Sequence, residues 1–407
     1  MQATTAERFL VAVVACGTVG LVLCPTAFAD LGGLSVVGPY FVCVASLFAV
    51  PALLFNDSSY SHAPLTRMVW SLRLLGIVQF LIVAFWRGIS ARDLAAVGGT
   101  VGWTFCYEGA YWFYSMRRAG ALAGSWVLCS SLALVYALLL MVPSMWAEGW
   151  LHALFYHVES MRSHVYYWPN LFAIYMVMLS WMALALAIYR RRAYLWLLGG
   201  ALAGVFVTAS RTALLALGVS VGVAICLNRR RLRPRHVIIM LLLLVLPVYV
   251  SLGLKEASPG STFVRSLLQR SLRWENALEV WRVEPILGSG LRSFTYDVPT
   301  FAWAGTTDEM GSAHNDYIDL LVRGGLLYSV AFWSFVAMVV VKALRQRRGL
   351  PPFLAYLSFG MVGALFAALY QNTFKDPVFA ALFWAYVAAV SYYTHRQSTL
   401  GLPPATV

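Results

Sequence analysis

The chain has 407 residues, 60% of them hydrophobic and 12% charged, with a mean hydropathy of +0.72 and a formal net charge of +13. A soluble domain carries roughly a quarter of its residues charged, so this composition excludes an ordinary soluble fold and fits a polytopic membrane protein. The basic residues lie in short clusters between apolar runs, as they do in the cytoplasmic loops of such proteins. Membrane lipids are therefore the expected surroundings, and nucleic acid is not an expected partner.

About 20 apolar residues cross a bilayer. Hydropathy predicts about twelve spans, at roughly 9–28, 34–55, 68–86, 94–116, 121–142, 168–189, 193–209, 212–228, 236–254, 317–341, 353–371 and 376–394. The first reads as an uncleaved helix, because its apolar run is long and further spans follow at once. Arg117-Arg118, Arg190 to Arg192, the run from Arg229 to Arg235, Lys342 with Arg345, Arg347 and Arg348, and Arg396 fall in alternate loops. The excess of Lys and Arg on the cytoplasmic side then puts both termini there. The expected fold class is all-α, with nine spans in residues 1–254, a long helical extracytoplasmic loop over 255–316, and three spans with a cytoplasmic C-terminus in 317–407. A second outer segment, Pro143 to Trp168, is rich in Trp, Tyr and His and reads as interfacial or re-entrant. The six cysteines lie in apolar runs with no CxxC pair, and read as small buried side chains.

The long loop breaks the charge rule. It carries Lys255, Arg265, Arg270, Arg273, Arg282 and Arg292 on the outer side. Apolar residues at Leu267, Leu268, Leu272, Ala277, Leu278 and Trp281 predict an amphipathic helix ending at Pro285 and the turn Gly288-Ser289-Gly290. Its arginines suit either anionic headgroups or a lipid-linked phosphate, since the planar guanidinium bonds two phosphate oxygens at once. Ser210-Arg211-Thr212 places another Arg in a tight turn at the outer end of a span, where a charge marks a candidate site. His314-Asn315-Asp316-Tyr317 closes the loop, followed by Arg323-Gly324-Gly325, whose glycines would allow close helix packing. A His there could take a proton from a hydroxyl nucleophile, with a neighbouring carboxylate fixing its tautomer.

No His, Cys or carboxylate spacing indicates a metal site, and no glycine-rich loop cradles phosphate. Neither metal nor cofactor is expected. Glu108, inside a predicted span, reads either as a proton-coupling group of a transporter or as the partner of an intramembrane Arg such as Arg73.

Taken together, Ser210-Arg211-Thr212, the stretch from Arg270 through Trp274 to Gly290, and His314-Asn315-Asp316-Tyr317 with Arg323-Gly324-Gly325-Leu326 resemble the O-antigen ligase and polymerase family. The likeness covers residues 165–345 closely. It implies a GT-C-like helical fold in the bacterial inner membrane and inverting, metal-independent glycosyl transfer on the periplasmic side. The implied donor is undecaprenyl-diphosphate-linked O-antigen, and the implied acceptor is lipid A–core. By the same likeness His314 would be the base, and Arg211, Arg265 and Arg270 would hold the diphosphate. Arg273 and Arg292 compete for that second role, and Asn315, Asp316, Tyr317 and Trp274 would support the site. An O-antigen polymerase or a protein O-oligosaccharyltransferase would use the same donor. A transporter is the alternative from another class, although the sequence has no repeated halves.

Overall fold

A computed structural model describes residues 58–115, 169–207, 210–228, 262–292, 296–299, 307–310, 313–374 and 377–400, with a few helical positions between 46 and 54. The predicted spans at 9–28, 121–142 and 236–254, most of 34–55, and the aromatic segment Pro143 to Trp168 lie outside these residues.

The elements in chain order are α1 (Ser58–His62), α2 (Pro64–Arg87), α3 (Ala91–Val101), a 3₁₀ turn (Gly102–Phe105), α4 (Cys106–Ser115), α5 (Pro169–Tyr189), α6 (Tyr194–Val207), α7 (Arg211–Asn228), α8 (Thr262–Val283), strands β1 (Tyr296–Pro299) and β2 (Thr307–Met310), α9 (Asp316–Arg345), α10 (Pro352–Ala367) and α11 (Pro377–Leu400). Among the described residues the fold is helical, apart from the antiparallel pair β1–β2 in the long loop. Proline at the first turn starts α2 and α10, and Gly88 at φ 74° stops α2. Among the described residues, four helices are long and apolar enough to cross a membrane: Pro64–Arg87, Asn170–Tyr189, Arg211–Asn228 and Asp316–Arg345. On α2, Leu74, Leu81, Phe85 and Trp86 stay exposed, as a lipid-facing stripe requires.

Two predicted spans differ from the structure. The first, at 94–116, is broken by the 3₁₀ turn. Arg73 reaches in from α2 and takes the Thr104 carbonyl (2.6 Å) and hydroxyl (2.7 Å), and that hydroxyl donates in turn to Val101 O. With the carbonyl diverted, the ladder tightens from α to 3₁₀ geometry.

The second, 317–341, is not one straight helix. Gly325 sits at φ 58°, ψ −171° inside α9, a conformation open almost only to glycine. A straight helix would hold Tyr317 and Trp333 roughly 24 Å apart, yet their rings stack at 4.0 Å. The chain therefore folds back at Gly325 into a short first arm and a second arm from Leu326 to Arg345, itself long enough to span.

Close packing fixes the relative direction of the other helices. A side chain at Gly360 of α10 would press on Met178 and Trp181 of α5, and one at Gly363 on Ala216 and Ser220 of α7. At the opposite end Tyr189 meets Tyr356, and Arg347 donates to Leu227 O at 2.8 Å. Thus α5 and α7 run together and α10 runs against them. The end that holds Arg190, Asn228, Arg345 and Arg347 gathers the basic clusters. Arg211 lies at the other end.

Candidate functional site

The fold-back of α9 creates two points of interest, its apex at Gly324-Gly325 and its foot at His314. The apex is a joint between distant segments. Bending the helix frees backbone groups that must find partners, and the turn after α8 supplies them. Ser289 N donates to Val322 O (2.9 Å), Leu291 N to Arg323 O (2.7 Å), and Leu326 N to Pro285 O (2.9 Å). Gln79 of α2 donates to both Leu287 O and Gly324 O. Gly288 and Gly325 lie back to back, each leaving no room for a side chain on the other. The sequence motifs Gly288-Ser289-Gly290 and Arg323-Gly324-Gly325 are therefore two halves of one lock.

Arginines at the apex bond to the protein through Nη2, while the Nε of Arg292 and of Arg323 is buried with no acceptor among the described residues. Arg323 donates through Nη2 to Ala96 O (2.7 Å), Thr100 Oγ1 (2.7 Å) and Leu291 O (3.1 Å). Arg292 donates through Nη2 to Asp93 Oδ2 at 2.7 Å. That bond holds the Asp93 carboxyl well below the ordinary carboxylate range, against the opposing effect of burial. Asp93 also completes a capping box with Ser90 at the start of α3. Arg292, a candidate phosphate ligand by sequence, is thus held at the start of α3 as an ion-paired anchor. Arg87 pairs with Glu284 nearby, but both are exposed, so this pair adds little.

At the foot, His314 has φ 51°, an uncommon value for a residue other than glycine, and is half-buried. The turn is clamped on both sides. Ala313 N donates to Asp319 Oδ1 at 2.6 Å, and Trp274 Nε1 of α8 donates to Ala313 O at 3.1 Å. Asn315 caps the helix, its Oδ1 accepting from Tyr317 N (2.9 Å) and Ile318 N (3.2 Å). Asp316 N donates to Ala368 O (2.9 Å), while Asp316 Oδ2 accepts from Thr373 N (2.6 Å), the Thr373 hydroxyl and Phe374 N (3.1 Å). Tyr317 donates to Leu365 O at 3.0 Å and stacks on Trp333. All four predicted supporting residues, Trp274, Asn315, Asp316 and Tyr317, bear on this turn. Asp316 does so by strapping it to the segment after α10.

Helix geometry brings two predicted arginines to the same end. Ala216 of α7 faces Gly363 of α10. Arg211 lies five residues before Ala216 and Ala368 five beyond Gly363, so on antiparallel neighbours both stand about 7.5 Å past that contact. Arg211 is therefore level with the Ala368–Asp316 bond. Arg211 opens α7, and Ser210 caps it through Ala213 N at 3.3 Å. Arg270 is half-buried one turn before Trp274 on α8, on the face that leads to Ala313. Arg273 has a buried Nε with no acceptor among the described residues. The side chain of Arg265 lies outside the described residues.

Sequence reasoning missed Asp319, Thr373 and Gln79, which shape the site without carrying a motif. It also missed Gln371, whose buried Nε2 has no acceptor among the described residues. A polar cluster, Gln371-Asn372-Thr373, between two apolar spans was the available signal. Glu108 pairs with Arg73 inside the helices, which was one of its two readings. No cluster of three or more His, Cys, Asp or Glu able to hold a metal occurs among the described residues.

Residues 193–333 match the family model described as O-antigen ligase. No curated protein matches the chain. The matched segment runs from the start of α6 to the eighth residue past the Gly325 fold-back, so it contains Arg211, Arg270, Trp274, Arg292 and His314, while Gln371 and Thr373 fall beyond it.

Proposed function

We propose, on the match of residues 193–333 to the O-antigen ligase family model, that the chain belongs to this family and is a membrane glycosyltransferase moving O-antigen from undecaprenyl diphosphate to lipid A–core on the periplasmic side. The observation that carries this reading is the His314 turn, clamped into a left-handed conformation at the helix end shared with Arg211 and approached by α8. An enzyme that holds a base rigidly beside cations suits the chemistry of a glycosyl diphosphate, which already carries its own leaving group.

In this mechanism the acceptor hydroxyl loses its proton to His314 as its oxygen bonds to the anomeric carbon. The bond from that carbon to the phosphate oxygen breaks, the electron pair leaves with undecaprenyl diphosphate, and the anomeric configuration inverts. Arg211 and Arg270 offset the charge on the departing diphosphate, with Arg265 or Arg273 completing the set. Arg292 is an anchor, in keeping with its bond to Asp93. The basic end of the bundle faces the cytoplasm, which sets His314 and Arg211 toward the periplasm. The chain is read as an inner-membrane protein with both termini cytoplasmic.

The test incubates purified protein with lipid-linked O-antigen and lipid A–core in the presence of EDTA. Transfer should persist in EDTA and fall by about 10²–10⁴-fold in His314→Asn, the scale of a lost general base. Asn tolerates positive φ better than most residues, so this variant keeps the turn. Full activity in His314→Asn would overturn the base assignment. Lengthening of the lipid-linked glycan without transfer to lipid A–core would instead identify a polymerase.

A further inference from the structure

Among the buried polar groups of the molecule, most have an internal partner. Of those that do not, two are linked through Phe374 near the foot of α9. Gln371 is 7% exposed, and its amide nitrogen meets no acceptor among the described residues. Trp333 Nε1 is also buried and unpartnered there. A buried N–H left unsatisfied carries the full cost of its desolvation, so such groups call for an explanation, and a ligand is one.

Their location favours that explanation. Gln371 sits in the short segment that straps down the His314 turn. On one side Tyr370 packs its ring against Trp274, at 6.2 Å between centroids, and Trp274 holds the Ala313 carbonyl. On the other side Thr373 and Phe374 hold Asp316. Phe374 meets Trp333 edge-on at 5.4 Å, and Trp333 stacks on Tyr317. Both unmatched groups therefore stand within one cluster around the proposed base.

Their chemistry selects the ligand class. An amide N–H and an indole N–H are neutral donors. A diphosphate is better served by guanidinium groups, which lie on α7 and α8. Neutral donors set among aromatic rings suit the hydroxyl and ring oxygens of a sugar, whose C–H faces pack on such rings. We infer that Gln371, with Trp333 across Phe374 from its segment, forms a sugar-binding site next to His314 that grips the glycan adjoining the diphosphate. This inference rests on the glycosyltransferase reading given above.

Gln371→Met keeps the length of the side chain and removes its donor. In the transfer assay it should lower kcat/KM roughly tenfold, the value of one hydrogen bond to substrate. Its Tm should not fall, because no hydrogen bond within the protein is lost. Gln371→Glu, of the same shape, should behave alike in activity. Thermal protection by ligand separates sugar from phosphate without any turnover. Bare undecaprenyl diphosphate should raise the Tm of wild type and Gln371→Met equally, whereas the O-antigen-linked diphosphate should protect wild type more. Equal protection by both ligands in both proteins, or wild-type kcat/KM in Gln371→Met, overturns the inference. A Tm lowered by several degrees in Gln371→Met also overturns it, since that marks a structural side chain. Failure of the wild type itself to transfer glycan counts against the glycosyltransferase reading, and the protection arm still reports on sugar recognition.

Discussion

Arg73, within α2, and Gln371, in the segment between α10 and α11, are both buried polar side chains, at 1% and 7% exposure. Their surroundings differ in one respect. Arg73 has its Nε on Thr104 Oγ1, Nη1 on Glu108 Oε1 at 2.6 Å, and Nη2 on Thr104 O and Glu108 Oε2. Its guanidinium also lies 4.6 Å and 4.2 Å from the ring centroids of Trp70 and Phe105. Tyr60 donates to Glu108 at 2.7 Å, and a second chain of hydroxyls links Thr66, Tyr107 and Ser391. This network is closed. Around His314 the backbone is equally well clamped, yet Arg273, Trp333 and Gln371 each keep a buried donor without an acceptor among the described residues. A closed network explains itself by the helices it joins, here α2, α4 and α11. An open one beside a fixed histidine points outward to a ligand.

The contrast can be broken most forcefully from the closed side. Glu108→Ala would leave the Arg73 charge buried and unpaired, and should destabilise the protein by about 3–5 kcal/mol in denaturant unfolding of the detergent-solubilised chain. Transfer per folded molecule should stay near wild type, and the double change Arg73→Met with Glu108→Leu should recover most of the stability. A specific loss of transfer in the folded Glu108→Gln protein would revive a role for that carboxylate in proton movement.

Gly325→Ala acts between the two regions. A side chain there meets the Ile286 carbonyl and forces a backbone conformation that costs about 1–3 kcal/mol in strain alone. Because the fold-back carries the His314 arm, this variant should lower both Tm and transfer.

Arg292→Ala gives the smallest effect and the sharpest assignment. It should cost about 1–3 kcal/mol by taking the guanidinium from the Asp93 carboxylate, which keeps only its Ser90 donors, with no change in affinity for undecaprenyl diphosphate. Asp93→Asn with Arg292→Ala should recover part of that loss. Since the Asp93 carboxyl titrates below its ordinary value of 3.8, its contribution should hold at every pH above that value. It is lost only as the pH falls through the depressed value. Weakened binding of the diphosphate would instead make Arg292 the phosphate ligand that sequence suggested.

How much could be read in advance depended on whether a feature was local. The spans predicted near 68–86, 168–189, 193–209, 212–228, 353–371 and 376–394 fall on the helices α2, α5, α6, α7, α10 and α11, of which α2, α5 and α7 are long and apolar enough to cross a membrane. The amphipathic helix before Pro285 is α8, and its end was marked by Pro and Gly. The reversal at Gly325 was not legible, since two glycines in an apolar run fit close packing as well as a turn. Its cause is the partners supplied by Pro285, Ser289 and Leu291, some forty residues away. The break near Thr104 likewise depends on Arg73 from another helix. For the proposed site, motif letters singled out His314, Arg211, Arg270 and Trp274. Nothing in the letters distinguished Arg292, bound to Asp93, from the arginines at the foot. Gln371 lay hidden because an isolated Gln in a short loop has no signature until its burial and missing acceptor are seen.

The second arm of α9 also behaves as a depth gauge. From Leu326 to Arg345 it has the length of one hydrocarbon core, and the His314 turn meets it at Trp333, eight residues below the bend. The distance from the bend to that level is fixed by helix rise at about 12 Å, whatever the lipid. A thicker or thinner bilayer changes where lipid headgroups stand against this ruler, and with them any phosphate anchored among those headgroups. Hydrophobic mismatch would then tune the alignment of a lipid-borne substrate with the histidine, making acyl-chain length in reconstituted vesicles a variable of the reaction itself.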